Sequence, residues 1–134
     1  MKTTKRLLYG FWVLRELAQD REKHHSARLL AEQLGIPETL ARQILMRLRK
    51  AGFLEAEKGR VGGYRLARTP EKIPLIAVMK ALTNGEPDLT LLGGGRIKPV
   101  ELGKNDPTAR FWNYVEEKFW GILKERTLAD LLGH

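Results

Sequence analysis

Two short amphipathic segments joined by a glycine-containing turn constrain the fold of this chain more than any other feature. Ser26 is a favourable N-cap for the first segment, "ARLLAEQL", and Gly35 is typical of a helix C-terminus. Pro37 suits the first turn of the second segment, which continues to about Lys50 and ends near Gly52. Two helices joined by so short a turn predict a helix-turn-helix motif.

The second helix of this motif separates into an apolar face and a polar face. The predicted inward stripe consists of Leu40, Ala41, Ile44, Leu45 and Leu48. The residues that face away or flank it are Glu38, Thr39, Arg42, Gln43, Met46, Arg47, Arg49 and Lys50. Thr, Arg and Gln near the start of such a helix can contact base edges in DNA. Ordinary surface helices are often charged as well, so this pattern alone leaves both interpretations open.

A short β-hairpin is predicted immediately after the motif. Residues 54–57 and 64–66 alternate between apolar and charged side chains, and the loop between them is "KGRVGG". Glycines permit positive φ and close backbone approach, and turn geometry explains at least one of the three. It does not explain Lys58 and Arg60, which can contact phosphates or enter a minor groove. The hairpin is therefore predicted to be the wing of a winged helix-turn-helix domain.

Two further helices flank this region and contribute to its core. The first covers about residues 3–19, with the predicted buried stripe Leu7, Leu8, Phe11, Leu14 and Ala18. The second covers about residues 74–84, with the predicted buried side Leu75, Val78, Met79 and Leu82. Residues 85–105 are rich in glycine and contain two prolines, which predicts a loop or linker. Their "GGGRIK" segment lacks the strand, helix and Gly-Lys-Ser/Thr context of a phosphate-binding loop.

A last long helix is predicted to begin at Asp106-Pro107 and to continue to about residue 126. Trp112, Val115, Phe119 and Ile122 recur at helical spacing, and Phe111 lies beside them. This stripe can pack on its own chain or pair with a second copy. We favour dimerisation because the stripe is large and lies beyond a linker. "TLADLL" is predicted to close the chain as one more helical turn.

The charge of the chain is concentrated in its first half. Residues 1–72 contain 16 Lys and Arg against 8 Asp and Glu, whereas residues 73–134 contain 8 of each. This asymmetry favours a module that binds a polyanion, joined to a neutral segment with another role. The absence of cysteine excludes disulfides, cysteinyl iron–sulfur clusters and thiolate zinc sites. Neither a secretory signal nor a membrane-spanning run is recognised, so we expect a cytoplasmic protein without a membrane partner.

Most of the chain resembles a known family. "GIPETLARQILMRLRKAGFLEAEKGRVGGYRLAR", "EKIPLIAVMKAL" and "FWNYVEEKFWGILKERTLADLL" resemble the Rrf two-type transcription regulators of bacteria, the group of IscR, NsrR and CymR. The resemblance implies a winged helix-turn-helix homodimer that binds a pseudo-palindromic operator, most often as a repressor. It implies that the start of the recognition helix contacts the major groove and that a basic wing residue approaches the minor groove. Here Lys58 stands where the family has arginine, and Arg60 stands where it has proline.

The resemblance and the residue patterns together give the predicted sites. The predicted DNA contacts are Ser26, Glu38, Thr39, Arg42, Gln43, Arg47, Lys50, Lys58, Arg60, Gly62, Gly63 and Tyr64. The predicted dimer contacts are Phe111, Trp112, Val115, Phe119 and Ile122. The predicted division is a DNA-binding domain over residues 1–84, a linker over 85–105 and a dimerisation helix with its terminal turn over 106–134.

The sensing role of the family is the part that does not carry over. Many members hold an iron–sulfur cluster through three cysteines in the segment that matches residues 85–105, and this chain has none. We expect no cofactor, and a small molecule or a protein as effector. His24 and His25 are adjacent and are interpreted as polar linker residues rather than metal ligands. Two rival hypotheses are a protein-interaction module that binds DNA without selectivity and a small enzyme, although the sequence shows no recognisable catalytic set.

Overall fold

The computed structural model of the chain describes residues 3–60, 62–83 and 106–133. Their elements are helices α1 (Thr3–Gln19), α2 (Ala27–Leu34) and α3 (Glu38–Lys50), strands β1 (Leu54–Glu57) and β2 (Gly63–Leu66), and helices α4 (Leu75–Leu82) and α5 (Pro107–Lys124). Single 3-10 turns span Pro70–Lys72 and Leu128–Leu131. The predicted mainly helical fold with one small hairpin is confirmed. Residues 84–105, which contain the predicted linker, lie outside the described residues.

The helix-turn-helix forms at the predicted positions because its ends are well capped. The Ser26 Oγ accepts a hydrogen bond from the Leu29 N–H at 3.0 Å, which satisfies one of the free donors at the start of α2. Gly35 closes α2 in the left-handed conformation, with φ 67°. Pro37 occupies the N-cap of α3 rather than its first turn. The predicted inward stripe of α3 is confirmed, since all five of its residues are buried.

Helix α1 has the predicted bounds, and its buried side differs from the predicted one at Leu8. Leu7 and Leu14 are buried as predicted, whereas Leu8 is 48% exposed and was wrongly assigned to the core. Val13 and Leu17 are buried instead. Phe11 and Ala18 are half-buried and pack against the core, as predicted. At Gly10 an added Cβ would lie 2.3 Å from a methyl group of Leu82, so α1 and α4 approach closely at a residue that carries no apolar signal.

The hairpin is anchored at its base and projects from the core. Strands β1 and β2 pair antiparallel, with Leu54 opposite Leu66 at the base and Glu57 opposite Gly63 toward the tip. Leu54 and Leu66 are buried, but Ala56 is exposed, so the predicted alternation fails beyond the first residue of β1. The base is thus tied to α3 and α1 while the tip is free to meet another molecule.

The end of the chain inserts beside α4, which the sequence analysis did not anticipate. The Leu75 N–H donates to the Arg126 carbonyl at 3.1 Å, and the Leu128 N–H donates to the Ile73 carbonyl at 2.9 Å. Leu128 is fully buried in the same hydrophobic cluster as α1, α3 and α4. The four predicted buried residues of α4 are confirmed. The terminal turn therefore belongs to the core of the winged helix.

Helix α5 begins at the predicted cap and lies against this core. The Asp106 carboxylate accepts a hydrogen bond from the Thr108 N–H at 2.7 Å, and Pro107 occupies the first turn. Phe119, Trp120 and Leu123 pack on the core at its edge. Among the described residues, we find no helix that combines the length and the apolar character needed to cross a bilayer.

Candidate nucleic-acid interface

Helix α3 presents the predicted polar face to solvent. Glu38, Thr39, Arg42, Gln43, Arg49 and Lys50 are exposed, and Arg47 is half-buried. This arrangement follows from the buried stripe, because a helix that packs one side on a core must expose the other. The face carries cations, amide and hydroxyl groups on one rigid rod about 20 Å long at 1.5 Å per residue. It can donate to and accept from base edges and phosphates.

The face also contains Met46, which the sequence analysis placed outward but did not count as a contact. Met46 is 46% exposed and lies one turn beyond Arg42 and Gln43. An exposed thioether between polar side chains has no partner within the core to explain it. A thymine methyl group is the apolar feature that a major groove offers to such a residue. The sequence signal for this contact is a large apolar residue, Met46, on the face of α3 that is predicted to point outward.

The wing carries the two predicted cations at its exposed tip. Lys58 and Arg60 are both exposed, and Gly59 between them has φ 118°, which favours glycine. The Gly62 N–H donates to the Gly59 carbonyl at 3.1 Å and closes the loop. Val61, the remaining loop residue, lies outside the described residues. The geometry therefore presents two cations on a tight loop.

The two glycines after the tip have reasons within the chain itself. An added Cβ at Gly62 would lie 2.2 Å from the Glu57 carbonyl oxygen. At Gly63 it would lie 2.5 Å from the His25 carbonyl oxygen, and φ is 153°. Backbone atoms cannot yield as a flexible side chain can. Both glycines are therefore required for the shape of the loop. Their predicted contact with DNA remains a prediction that depends on this shape.

The wing is tied to the segment before α2 by backbone and side-chain bonds. His25 and Tyr64 exchange two N–H to carbonyl hydrogen bonds, both 2.8 Å long. His24 Nε2 lies 3.2 Å from the Glu57 carboxylate. Tyr64, a predicted DNA contact, is half-buried and packs against the core, so its ring holds the base of the wing. These bonds fix the angle at which the wing leaves the domain.

Across the wing, Arg65 forms a hydrogen-bonded ion pair with Glu55 on the paired strand. The hydrogen bond that Arg65 donates to the Glu55 carboxylate raises the pKa of the guanidinium above its usual value. This cross-strand pair stabilises the ladder beyond its buried base.

A groove between α2 and the wing brings together predicted residues that are distant in sequence. Its lining consists of Lys23, His24, Ser26, Leu29, Arg60 and Gly62. Ser26 and Arg60 thus meet at one surface, beside the positive end of a helix. Lys23 is a further cation of this groove that the sequence-based prediction does not include, and the neighbouring N-terminus of α2 also favours an anion. The groove extends the basic surface from the wing to α2.

A second surface lies on α5, where the predicted dimer contacts divide between two faces. Phe119 packs on its own chain, and Val115 is half-buried. Phe111 and Ile122 are 57% and 60% exposed, and Tyr114 joins them at 57%. The side chain of Trp112 lies outside the described residues. Within the described residues, the exposed stripe of α5 therefore consists of Phe111, Tyr114 and Ile122, whose side chains remain more than half exposed.

Gly121 lies beside this exposed stripe. An added Cβ there would meet no atom of the described residues within 4 Å. Tyr114, Gly121 and Ile122 also line a shallow groove with Glu117, Lys118 and Glu125. A glycine on an exposed helix face allows a second helix to approach closely.

Comparisons with known proteins, by sequence and by structure, all identify the same family. The chain matches the family model described as "Rrf2: Iron-dependent Transcriptional regulator" over residues 3–134. It is 30% identical over 142 residues to Protein rrf2 of Nitratidesulfovibrio vulgaris, covering 98% of this chain and 87% of that protein. It is 26% identical over 137 residues to the HTH-type transcriptional regulator CymR of Bacillus subtilis, covering 100% and 91%. The solved structure of T. potens IscR matches with a TM-score of 0.73 at 29% identity, covering 98% of this chain and 86% of that one.

The family description refers to iron, but this chain lacks the cysteine ligands of an iron–sulfur cluster. Iron–sulfur clusters are held by Cys thiolates, and the 134 residues include no cysteine. Across residues 3–60, 62–83 and 106–133, no three His, Asp or Glu side chains are placed to share a metal ion. His24 and His25 point to different partners, since His25 Nε2 lies 3.1 Å from the Asp20 carbonyl. The residues present do not suit a cysteinyl cluster.

Proposed function

We propose, since this chain belongs to the Rrf2 family of transcriptional regulators, that it binds a specific operator sequence as a homodimer and represses transcription from it. The observation that supports this most directly is the exposed polar face of α3 beside a wing with two cations at its tip. Both elements carry cationic groups, and both lie in the half of the chain that holds its whole excess of positive charge. The family consists of regulators rather than enzymes, so the proposed activity is DNA binding and not catalysis.

In this proposal α3 enters the major groove. Thr39, Arg42, Gln43 and Met46 would meet base edges, because they form the outward centre of the helix. Arg49 and Lys50, near its C-terminus, would meet phosphates. Base contacts supply selectivity, whereas phosphate contacts supply position and affinity.

The wing would hold the flanking backbone or the minor groove through Lys58 and Arg60. The groove beside Ser26 would accept a phosphate between α2 and the wing. Because His24, His25 and Tyr64 fix the wing relative to α2, both contacts would form together without a rearrangement of the hairpin.

The homodimer would form through the exposed stripe of α5. Large apolar side chains exposed on one helix face are uncommon on a surface that stays in water. A two-fold dimer would present two copies of α3 and would require a pseudo-palindromic operator with half-sites about 34 Å or a multiple apart. In functional terms residues 1–84 would bind DNA and α5 would join subunits, while the terminal turn completes the core of the winged helix. A regulator of chromosomal genes would act in the cytoplasm.

Selection of duplexes from a random pool tests selectivity, symmetry and spacing at once. At about 0.15 M salt, we expect the protein to enrich a two-fold symmetric sequence with fixed spacing. Enrichment of no sequence, with weak binding to all duplexes, would contradict the proposal. That outcome would favour a winged helix that binds another protein.

Arginine variants locate the selective surface. Arg42→Ala should change base preference by about 1–3 kcal/mol at one or two positions. Arg28→Ala is a matched control, because Arg28 on α2 also pairs with a glutamate one helical turn away. If Arg42→Ala left affinity and preference equal to those of the control, α3 would not be the recognition helix.

The dimer is tested by its mass in solution. Ile122→Asp should convert the protein to a monomer, because it places a charge in the exposed stripe. Leu29→Asp is the control, since Leu29 is 50% exposed on α2, away from α5. A wild-type protein that is monomeric at micromolar concentration, or an Ile122→Asp variant that still dimerises, would refute the proposed interface.

A further inference from the structure

The recognition helix carries an exposed ion pair that crosses its first two turns. Arg42 Nη2 lies 2.9 Å from Glu38 Oε1, and their side chains are 62% and 46% exposed. A pair of this kind contributes only about 0.3–0.5 kcal/mol to folding. Its contribution to stability is therefore too small to account for its position on the surface that meets DNA.

The pair leaves most of its hydrogen-bonding capacity unused. A guanidinium has five N–H donors, and the bond to Glu38 occupies one of them. A carboxylate has two oxygens and only accepts hydrogen bonds. The pair thus places the free N–H donors of Arg42 beside the oxygen acceptors of Glu38, one helical turn apart on α3.

A G·C base pair presents the complementary pattern in the major groove. Guanine offers the acceptors N7 and O6, and cytosine offers the N4 amino donor beside them. An A·T pair reverses this order, because adenine N6 is a donor and thymine O4 is an acceptor. Against A·T, one donor would face a donor and one acceptor would face an acceptor.

We propose that Glu38 and Arg42 act as one unit that selects a G·C base pair. Arg42 donates to guanine O6 and N7, while Glu38 accepts from cytosine N4 and keeps the guanidinium in position. This inference rests on the proposed function, because it assigns one operator position to two residues of α3. It makes Glu38 a determinant of specificity that works by rejection as well as attraction.

The charge of Glu38 gives the inference a distinctive consequence. A carboxylate near the phosphates weakens binding to every duplex, so its removal should raise affinity for random DNA. The same removal should lower selectivity, since Arg42 alone no longer rejects A·T. Affinity and selectivity therefore move in opposite directions, which a simple loss of a contact would not produce.

The test measures base preference position by position for Glu38→Ala, Glu38→Gln and Arg42→Lys. All three should lose preference for G·C over A·T at the same operator position, by roughly 5- to 150-fold. Arg42→Lys keeps the charge but removes the planar fork. Circular dichroism and thermal unfolding should match the wild type, because the pair is exposed.

Glu32→Ala is the matched control. It removes the same charge and breaks the pair in which Arg28 Nε lies 3.4 Å from Glu32 Oε1, again one turn apart, but on α2. It should leave the preference at every position unchanged.

Three results would overturn the inference. The first is a Glu38→Ala variant that keeps the wild-type preference throughout, and the second is a Glu32→Ala variant that loses the same position. The third is a selected operator without a preferred G·C pair within reach of α3. A wild type that selects no sequence would remove the proposed function as well, so the two failures can be told apart.

Discussion

Leu128 gives the sharpest test of the fold, because it places the end of the chain in the core of the winged helix. Its side chain is 0% exposed, and its N–H donates to Ile73 just before α4. Leu128→Ala removes three carbon atoms, which at about 0.8 kcal/mol each gives a transfer cost of about 2.4 kcal/mol. The cavity left behind adds to this cost, so we expect a loss of about 2–5 kcal/mol in the free energy of unfolding.

Leu131 provides a control within the same 3-10 turn. It is 40% exposed, so its truncation leaves a site that water can fill rather than a closed cavity. Leu131→Ala should therefore cost less than about 1.5 kcal/mol. The comparison is between two leucines three residues apart in one turn, which removes differences in local propensity.

Urea unfolding, followed by circular dichroism at one fixed protein concentration, measures both variants. We expect one cooperative transition for each, with a lower midpoint for Leu128→Ala and an unchanged slope. Equal losses for the two variants would refute the placement of the terminal turn in the core. A separate early transition in the wild type would refute it too, because the tail would then unfold on its own.

Three further substitutions test local features. Ser26→Ala should lower the free energy of unfolding by about 1 kcal/mol in urea titrations, and Ser26→Asp should restore it, because a carboxylate also caps α2. Gly63→Ala should cost about 1–3 kcal/mol, since the added methyl meets the His25 carbonyl oxygen at a strained φ, and amide hydrogen exchange should show a loosened wing. Gly121→Ala should raise the thermal midpoint of dilute monomer through better helix propensity, yet weaken self-association measured by ultracentrifugation.

The parts of the structure that the sequence predicts well are those that local chemistry determines. Ser26 and Gly35 fix the ends of α2, and Asp106 with Pro107 fixes the start of α5. The buried stripe of α3 follows from its apolar periodicity, and the glycine-containing turn before it fixes where the helix begins. The hairpin is predicted at the correct place by the glycine-rich loop, whose Gly62 and Gly63 are sterically required, although the alternation predicted for β1 fails beyond Leu54.

The failures occur where distant contacts decide. Leu8 fits an apolar stripe on α1, but α1 meets the core through Gly10, Leu14 and Leu17, which leaves Leu8 exposed. His24 and His25 lie in the polar connection as interpreted, but the sequence did not predict that they bond to the wing some forty residues later. No local sequence pattern predicts backbone hydrogen bonds between segments that lie so far apart in the chain.

The largest such effect concerns α5, whose orientation is set by the residues that follow it. Leu128 is buried only four residues after the helix ends, and Phe119 and Trp120 of α5 pack on the same core, so these contacts together oppose rotation of α5 about its axis. Periodicity alone placed Phe119 and Ile122 in one stripe, whereas the anchored helix turns Phe119 inward and Ile122 outward. Phe111 and Ile122 lie only about 20° apart around an ideal helix, so the anchor presents them together. The face of α5 that stays exposed thus depends in part on a leucine in the core, and Leu128→Ala should loosen the proposed dimer as well as the fold.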